Sequence, residues 1–226
     1  MLREKEPKFE IPSPNPTGDS GAFLTGEEKK IMTVMVIGQI EGHQKSEQTV
    51  KTTCYEHVLP ELVRAQESCE VGGVLFLLNT VGGDVEAGLA MAEMIAGLDK
   101  PTVSLVLGGG HSIGIPLAVA AKQSFIVPSA TMTVHPVRIH GLVLGVPQSF
   151  DYLRRMQDRI NDFIVRHSAV CPERLEEWMA GRHHMATDVG TILSGQEAVA
   201  SGLVDRLGGF SQALAALKEA MAGKKP

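Results

Sequence analysis

The chain has 226 residues with 43% hydrophobic and 21% charged side chains, a size one domain can fill and a balance that excludes a disordered or coiled-coil protein. A net charge of -5 and a pI near 5.9 exclude a broad phosphate-tracking surface, so nucleic acid is not an expected partner. Three widely spaced cysteines, Cys54, Cys69 and Cys171, form neither a disulfide framework nor a zinc motif, which fits a reducing compartment.

The opening segment, MLREKEPKFEIPSPNPTGDSG, lacks the apolar core of a signal peptide, and residues 1–28 read as a flexible leader of a cytoplasmic protein. Lys30 to Gly38 is an apolar, β-branched run that predicts a strand, and residues 40–52 read as a loop. Cys54, Val58, Leu59, Leu62 and Val63 repeat at helical spacing. Gly73 to Asn79 (GVLFLLN) is a continuous apolar stretch of the kind that buried parallel strands produce.

The turn TVGGD leads into a helix marked by Val85, Leu89, Ala92, Ile95 and Leu98, which the Lys100-Pro101 pair ends. A further strand, Pro101 to Leu107, runs into the glycine-rich GGGHSIG and a helix expected from Ser112 to about Lys122. Val103 to Ala121 is apolar enough to suggest a membrane span, but Gly108, Gly109, Gly110, His111 and Pro116 interrupt it, so no stable membrane insertion is expected. Short strands at 124–127 and 131–134 precede a long amphipathic helix carrying Phe150, Leu153, Met156, Ile160, Phe163 and Ile164, and a shorter one beginning at Pro172. The Ser194-x-x-Glu197 spacing is that of a capping box, predicting a helix that runs to a left-handed cap at Gly202. Strands alternating with helices imply an α/β fold built on a parallel sheet.

The sharpest chemical signal is Gly110-His111-Ser112-Ile113-Gly114, a strand-to-helix turn that glycines make tight enough to project the Ser112 hydroxyl. Backbone N–H groups at the start of the next helix would favour an oxyanion, although a serine that merely caps the helix fits the same letters. A second glycine turn, Gly82-Gly83, falls at the same carboxyl edge of the expected sheet, where its N–H groups could join them. His135 ends the strand TMTVH and is the best placed general base. Asp188 is a candidate for the third triad member, with Asp205 and Asp84 as alternatives. His183 and His184 are adjacent and lack a carboxylate at ligand spacing, so neither a metal nor a cofactor is expected.

In these segments the chain resembles the Clp protease proteolytic subunits (ClpP), and within them the Clp-like translocation-enhancing (TepA) subgroup. The markers, found between about Lys29 and Leu217, are NTVGGDVEAG for the family's Asn-Ser-Pro-Gly-Gly turn, GGGHSIG, TMTVHP and SGQEAVASGLVD. The resemblance implies a ClpP/crotonase-type spiral of ββα units with a parallel sheet and a protruding handle helix. It implies a ClpP-like serine-type endopeptidase domain over 29–218, followed by a flexible tail over 219–226. Ser112 would be nucleophile, His135 base, and the amides of Gly83 and Ile113 the oxyanion hole.

Two departures stand out: the Ser112-to-His135 segment is slightly shorter than in typical members, and His111 replaces a small residue before the serine. The family's acid position falls on Gly190, so Asp188 serves only if the loop is two residues longer. By the same resemblance the long helix interlocks subunits into a homo-oligomeric ring enclosing a chamber, fed with peptide or unfolded protein and with an AAA+ unfoldase as candidate partner. Three other readings share parts of the pattern. An α/β-hydrolase esterase also uses G-x-S-x-G, but places its acid between serine and histidine. A crotonase-type acyl thioester enzyme uses paired amides without the serine, and a catalytically weak Clp-like scaffold or export factor would keep the fold alone.

Overall fold

The computed structural model describes residues 22–23, 29–43, 49–138, 145–181 and 190–223. In chain order the elements are β1 (Ala22–Phe23), β2 (Lys30–Glu41), β3 (Thr52–Cys54), α1 (Tyr55–Glu67), β4 (Val71–Gly83), α2 (Val85–Ala96), β5 (Thr102–Gly110) and α3 (Gly114–Val119). They continue with β6 (Gln123–Ile126), β7 (Thr131–Val134), α4 (Val146–Arg166), α5 (Pro172–Ala180), β8 (Thr191–Ser194), α6 (Gly195–Ala200), β9 (Arg206–Leu207) and α7 (Phe210–Met221). The main sheet runs β1-β2-β4-β5-β6-β9, parallel throughout except for β1, which lies antiparallel on β2. At the carboxyl end of β5 the chain forks: Gly109 pairs with Thr131 of β7, and β7 carries β8 antiparallel beside it.

The run GVLFLLN is apolar at every position before Asn79 because helices cover both faces of β4. Val74, Phe76 and Leu78 join the larger core with α1, α2, α3 and α4, whereas Leu75 turns to the smaller core formed with Ala213, Ala216 and Leu217 of α7. The expected glycine turn is the last part of β4 itself: the ladder with β2 continues through Gln39↔Gly82 and Ile40↔Gly83 after a register shift. Asp84 caps α2 by accepting from Ala87 N–H at 2.8 Å. The Ser194–Glu197 capping box forms, and Gly202 follows its helix at φ 80°. The leader boundary at residue 28 places β1 outside the expected domain, and the boundary at 218 falls inside α7.

Asp205 is committed to the fold. Its Oδ2 accepts from Ser124 N–H at 2.7 Å and from the Ser124 hydroxyl at 2.9 Å, while its own N–H donates back to Ser124 Oγ at 3.0 Å. Ser124 is 4% exposed. Asp205→Ala strands a buried N–H and hydroxyl together, so it is expected to lower stability by about 2–3 kcal/mol, read as a reduced urea midpoint at unchanged slope.

Candidate active site

Three strand ends meet at the site. β4 delivers Thr80-Val81-Gly82-Gly83, with Gly82 at φ 88° and Gly83 at φ 152°. Thr80, 1% exposed, is the joint between them and the next strand. Its hydroxyl donates to Gly38 O at 2.7 Å and accepts from Gly82 N–H at 3.0 Å, and its carbonyl accepts from His111 N–H at 3.2 Å. Asn79 makes a second tie: its Oδ1 accepts from Gly109 N–H at 2.9 Å, bringing the ends of β4 and β5 together where their pairing slips.

β5 then delivers the serine. Ser112 is the only non-glycine residue with positive φ among the described residues, at 57°. It stands outside the helix expected to start with it: α3 begins at Gly114, and no side chain caps it. The capping explanation for the serine therefore fails, since the chain turns sharply at Ser112 before the helix starts. A methyl group on Gly82 would lie 2.7 Å from Ser112 Cβ and 3.3 Å from its Oγ, so the two glycine turns touch. A methyl on Gly88 of α2 would lie 2.4 Å from Ile113 Cγ1, so α2 presses directly on the residue after the serine. Among the described residues no backbone carbonyl accepts from Ile113 N–H.

β7 supplies the histidine. Ser112 N–H donates to Thr133 O at 2.9 Å, and His135 follows two residues later. His135 Nδ1 lies 2.7 Å from the carbonyl of Pro136. A carbonyl only accepts, so Nδ1 is the donor, and in the neutral ring the lone pair falls on Nε2. Ser112, Ile113, Gly83 and His135 open into one cavity of about 300 Å³. Ile115, Val134, Ile160, Ile164 and Met179 give it apolar lining, and Arg138 and Gln157 add polar groups. Gln157 of α4 fixes the chain beyond the histidine, with Oε1 accepting from Val137 N–H at 2.7 Å and Nε2 donating to Asn161 Oδ1 at 2.8 Å.

The structure thus brings together four of the five expected site residues. The fifth, Asp188, lies outside the described residues, as do His183 and His184. Gly190 ends that segment against the histidine: at φ 141°, a methyl on it would lie 2.8 Å from His135 Cβ. The alternative acids are engaged elsewhere, Asp205 with Ser124 and Asp84 at the cap of α2. Thr80, Asn79 and Gln157 went unnoticed in the sequence. Thr80 could have been found from its place in the NTVGG turn, whereas nothing in the letters around Gln157 points to a contact twenty residues away.

His111 shares the site. Its Nδ1 is 2.8 Å from Thr133 Oγ1, and a methyl on Gly109 would lie 2.5 Å from its Nε2, so the ring lies against a bare backbone. Burial first, and then the nearby imidazole of His135, hold its pKa below the ordinary histidine value, which favours a neutral ring at pH 7. Among the described residues no helix is long and apolar enough to cross a membrane, and no group of histidine, cysteine and carboxylate side chains could hold a metal ion.

Comparison with known proteins bears on the family and the fold. Residues 30–209 match the model of the Clp protease family. The chain is 51% identical over 200 residues to the translocation-enhancing protein TepA of Halalkalibacterium halodurans, covering 88% of this chain and 78% of that protein. It is 28% identical over 138 residues to the ATP-dependent Clp protease proteolytic subunit 1 of Chlamydia muridarum, covering 58% of this chain and 68% of the relative. A solved structure of a ClpP1 mutant from Listeria monocytogenes superposes with a TM-score of 0.61 at 22% identity, over 80% of this chain and 94% of the other, which gives the fold as that of ClpP. The chain belongs to the Clp protease family.

Proposed function

We propose that the chain is a serine endopeptidase that hydrolyses peptide bonds in peptides or unfolded proteins, with Ser112 as nucleophile and His135 as general base. The observation that carries this reading is the positive-φ turn at Ser112, pressed against Gly82 and sharing one cavity with His135. His135 Nε2 takes the Ser112 proton as Oγ bonds to the substrate carbonyl carbon. The resulting oxyanion is held by the N–H groups of Gly83 and Ile113. Collapse breaks the C–N bond, with the proton passing from Nε2 to the leaving amine. Water then attacks the acyl carbon as Nε2 takes its proton, and collapse breaks the C–Oγ bond, releasing the acid while Nε2 returns the proton to Ser112 Oγ. The largely apolar lining of the cavity suits an apolar side chain of the substrate.

Asp188, two residues before Gly190 in the sequence, is assigned to orient His135. Pro136 O holds Nδ1 meanwhile. A ring of identical subunits around a chamber, in the cytoplasm, completes the proposal. Its support is the amino-terminal half of α4, where Val146, Phe150 and Tyr152 are more than half exposed and would need cover in an assembly. An AAA+ unfoldase would supply the chains, in keeping with the ATP-dependent name of the chlamydial relative.

The test is intact-mass analysis after incubation with a fluorophosphonate. One adduct is expected on the native protein and none on Ser112→Ala. A folded native protein that takes no adduct would overturn the peptidase reading. It would favour a scaffold or export role, the second reading, which the name of the 51% identical translocation-enhancing relative supports.

A further inference from the structure

Three of the four polar atoms of His111 are tied to the site. Its N–H donates to Thr80 O at 3.2 Å, its carbonyl accepts from Gly114 N–H at 2.9 Å, and its ring meets Thr133 Oγ1 at 2.8 Å. Thr133 also grips the next residue, because its carbonyl accepts from Ser112 N–H at 2.9 Å. One residue of the β7 strand therefore holds two consecutive residues of the nucleophile turn, one through its side chain and one through its backbone. Thr133 and His135 alternate with the buried Met132 and Val134, so their side chains leave on the same side of the chain. The distance from this anchor to the base is thus set by one step of two residues along an extended chain.

A φ of 57° is disfavoured for serine and persists only where its surroundings over-determine it. Ser112 contributes no helix-capping bond of its own to hold that conformation. The ties at His111 and Thr133 supply the constraint instead. The ring of His111 fits only because residue 109 is glycine, which leaves room for the imidazole against the β5 backbone.

We propose that His111 is a positioning residue: through Thr133 it locks the Ser112 turn in register with the strand that carries His135. The inference rests on the reading of Ser112 as a nucleophile. It concerns the rate of its attack and not its identity.

The experiment is fluorophosphonate labelling followed by intact mass over time, giving a maximal rate and a half-saturating concentration for each variant. Thermal melts establish that each variant is folded. His111→Ala and Thr133→Val are each expected to lower the maximal rate about 10- to 100-fold, the cost of a small misplacement of a reacting group, with the half-saturating concentration little changed. His111→Asn, whose amide can meet Thr133 where Nδ1 does, is expected to recover the rate to within about 3-fold, and the double variant to fall no further than the worse single one. Native rates in folded His111→Ala and Thr133→Val overturn the proposal. So does a loss in His111→Ala that asparagine does not recover and Thr133→Val does not share, since that pattern marks simple packing. If His111→Ala does not fold, the near-isosteric Thr133→Val decides alone. Absence of labelling on the native protein overturns the nucleophile assignment itself, a result distinct from labelling that proceeds equally in native and variant proteins.

Discussion

Ser112→Ala and His135→Ala are each expected to lower hydrolysis of an apolar peptide by about 10,000-fold or more, and the double variant to be no slower than either single one. The reason for non-additivity lies in the geometry. Nδ1 of His135 faces the Pro136 carbonyl, and in the proposed mechanism the lone pair of Nε2 takes the serine proton. Without the hydroxyl the base has nothing to activate, and without the base the hydroxyl stays protonated. What remains in either case is the contribution of the oxyanion donors and substrate binding, and neither depends on the missing group. Neither substitution disturbs the core, because Ser112 and His135 both stand at the cavity and not among the buried apolar side chains. The measurement is cleavage of an internally quenched peptide, with thermal melts as the control for folding. Equal activity in His135→Ala and the native protein would place the base elsewhere, and a double variant far slower than both singles would mean that the two residues act independently.

The elements that could be read in the sequence are those whose pattern is local. The apolar run of β4, the periodic α2 with Asp84 before it, and the Ser194–Glu197 box each follow from residues within one turn or one strand. The start of α3 could not be read this way. The sequence suggests a helix from Ser112, but the bond from Ser112 N–H to Thr133 O, across twenty-one residues, holds the serine at positive φ and delays the helix to Gly114. Helix α7 escaped for a different reason. Its buried face is built largely from Ala213 and Ala216 beside Leu217, and alanine gives a weak apolar stripe even where, as at Ala213, it is fully buried. β8 and β9, of four and two residues, are defined by their partners and not by their own letters.

The candidate site divides in the same way. Glycine turns and a serine between them are visible as motifs, and His135 is visible at the end of its strand. The groups that hold these parts in place, Thr80, Asn79, Gln157 and the Thr133 contact to His111, act across strands and helices, so no spacing encodes them. The sequence therefore points to the proposed reacting groups more readily than to the residues packed around them.

Gly83→Ala is the change in which fold and chemistry should fail together. A Cβ there would stand 2.2 Å from Ile40 O, 2.7 Å from Ile40 N and 2.9 Å from Ile40 C, all backbone atoms of the neighbouring β2 that cannot move aside as a side chain would. The φ of 152° is itself unfavourable for any residue with a Cβ. Relief requires the end of β4 to swing away from β2, and that motion carries the Gly83 amide off the cavity. We expect a stability loss of about 2–3 kcal/mol from strain. Turnover of the folded fraction should fall about 100- to 1000-fold at little changed KM, because the donor is needed most when negative charge develops on the carbonyl oxygen. Denaturant melts read the first effect and steady-state kinetics on the folded fraction read the second. A destabilised variant with native kcat would mean that this glycine serves the β2–β4 ladder alone. A loss of kcat with the expected strain would tie the oxyanion donor to the last residue of the strand.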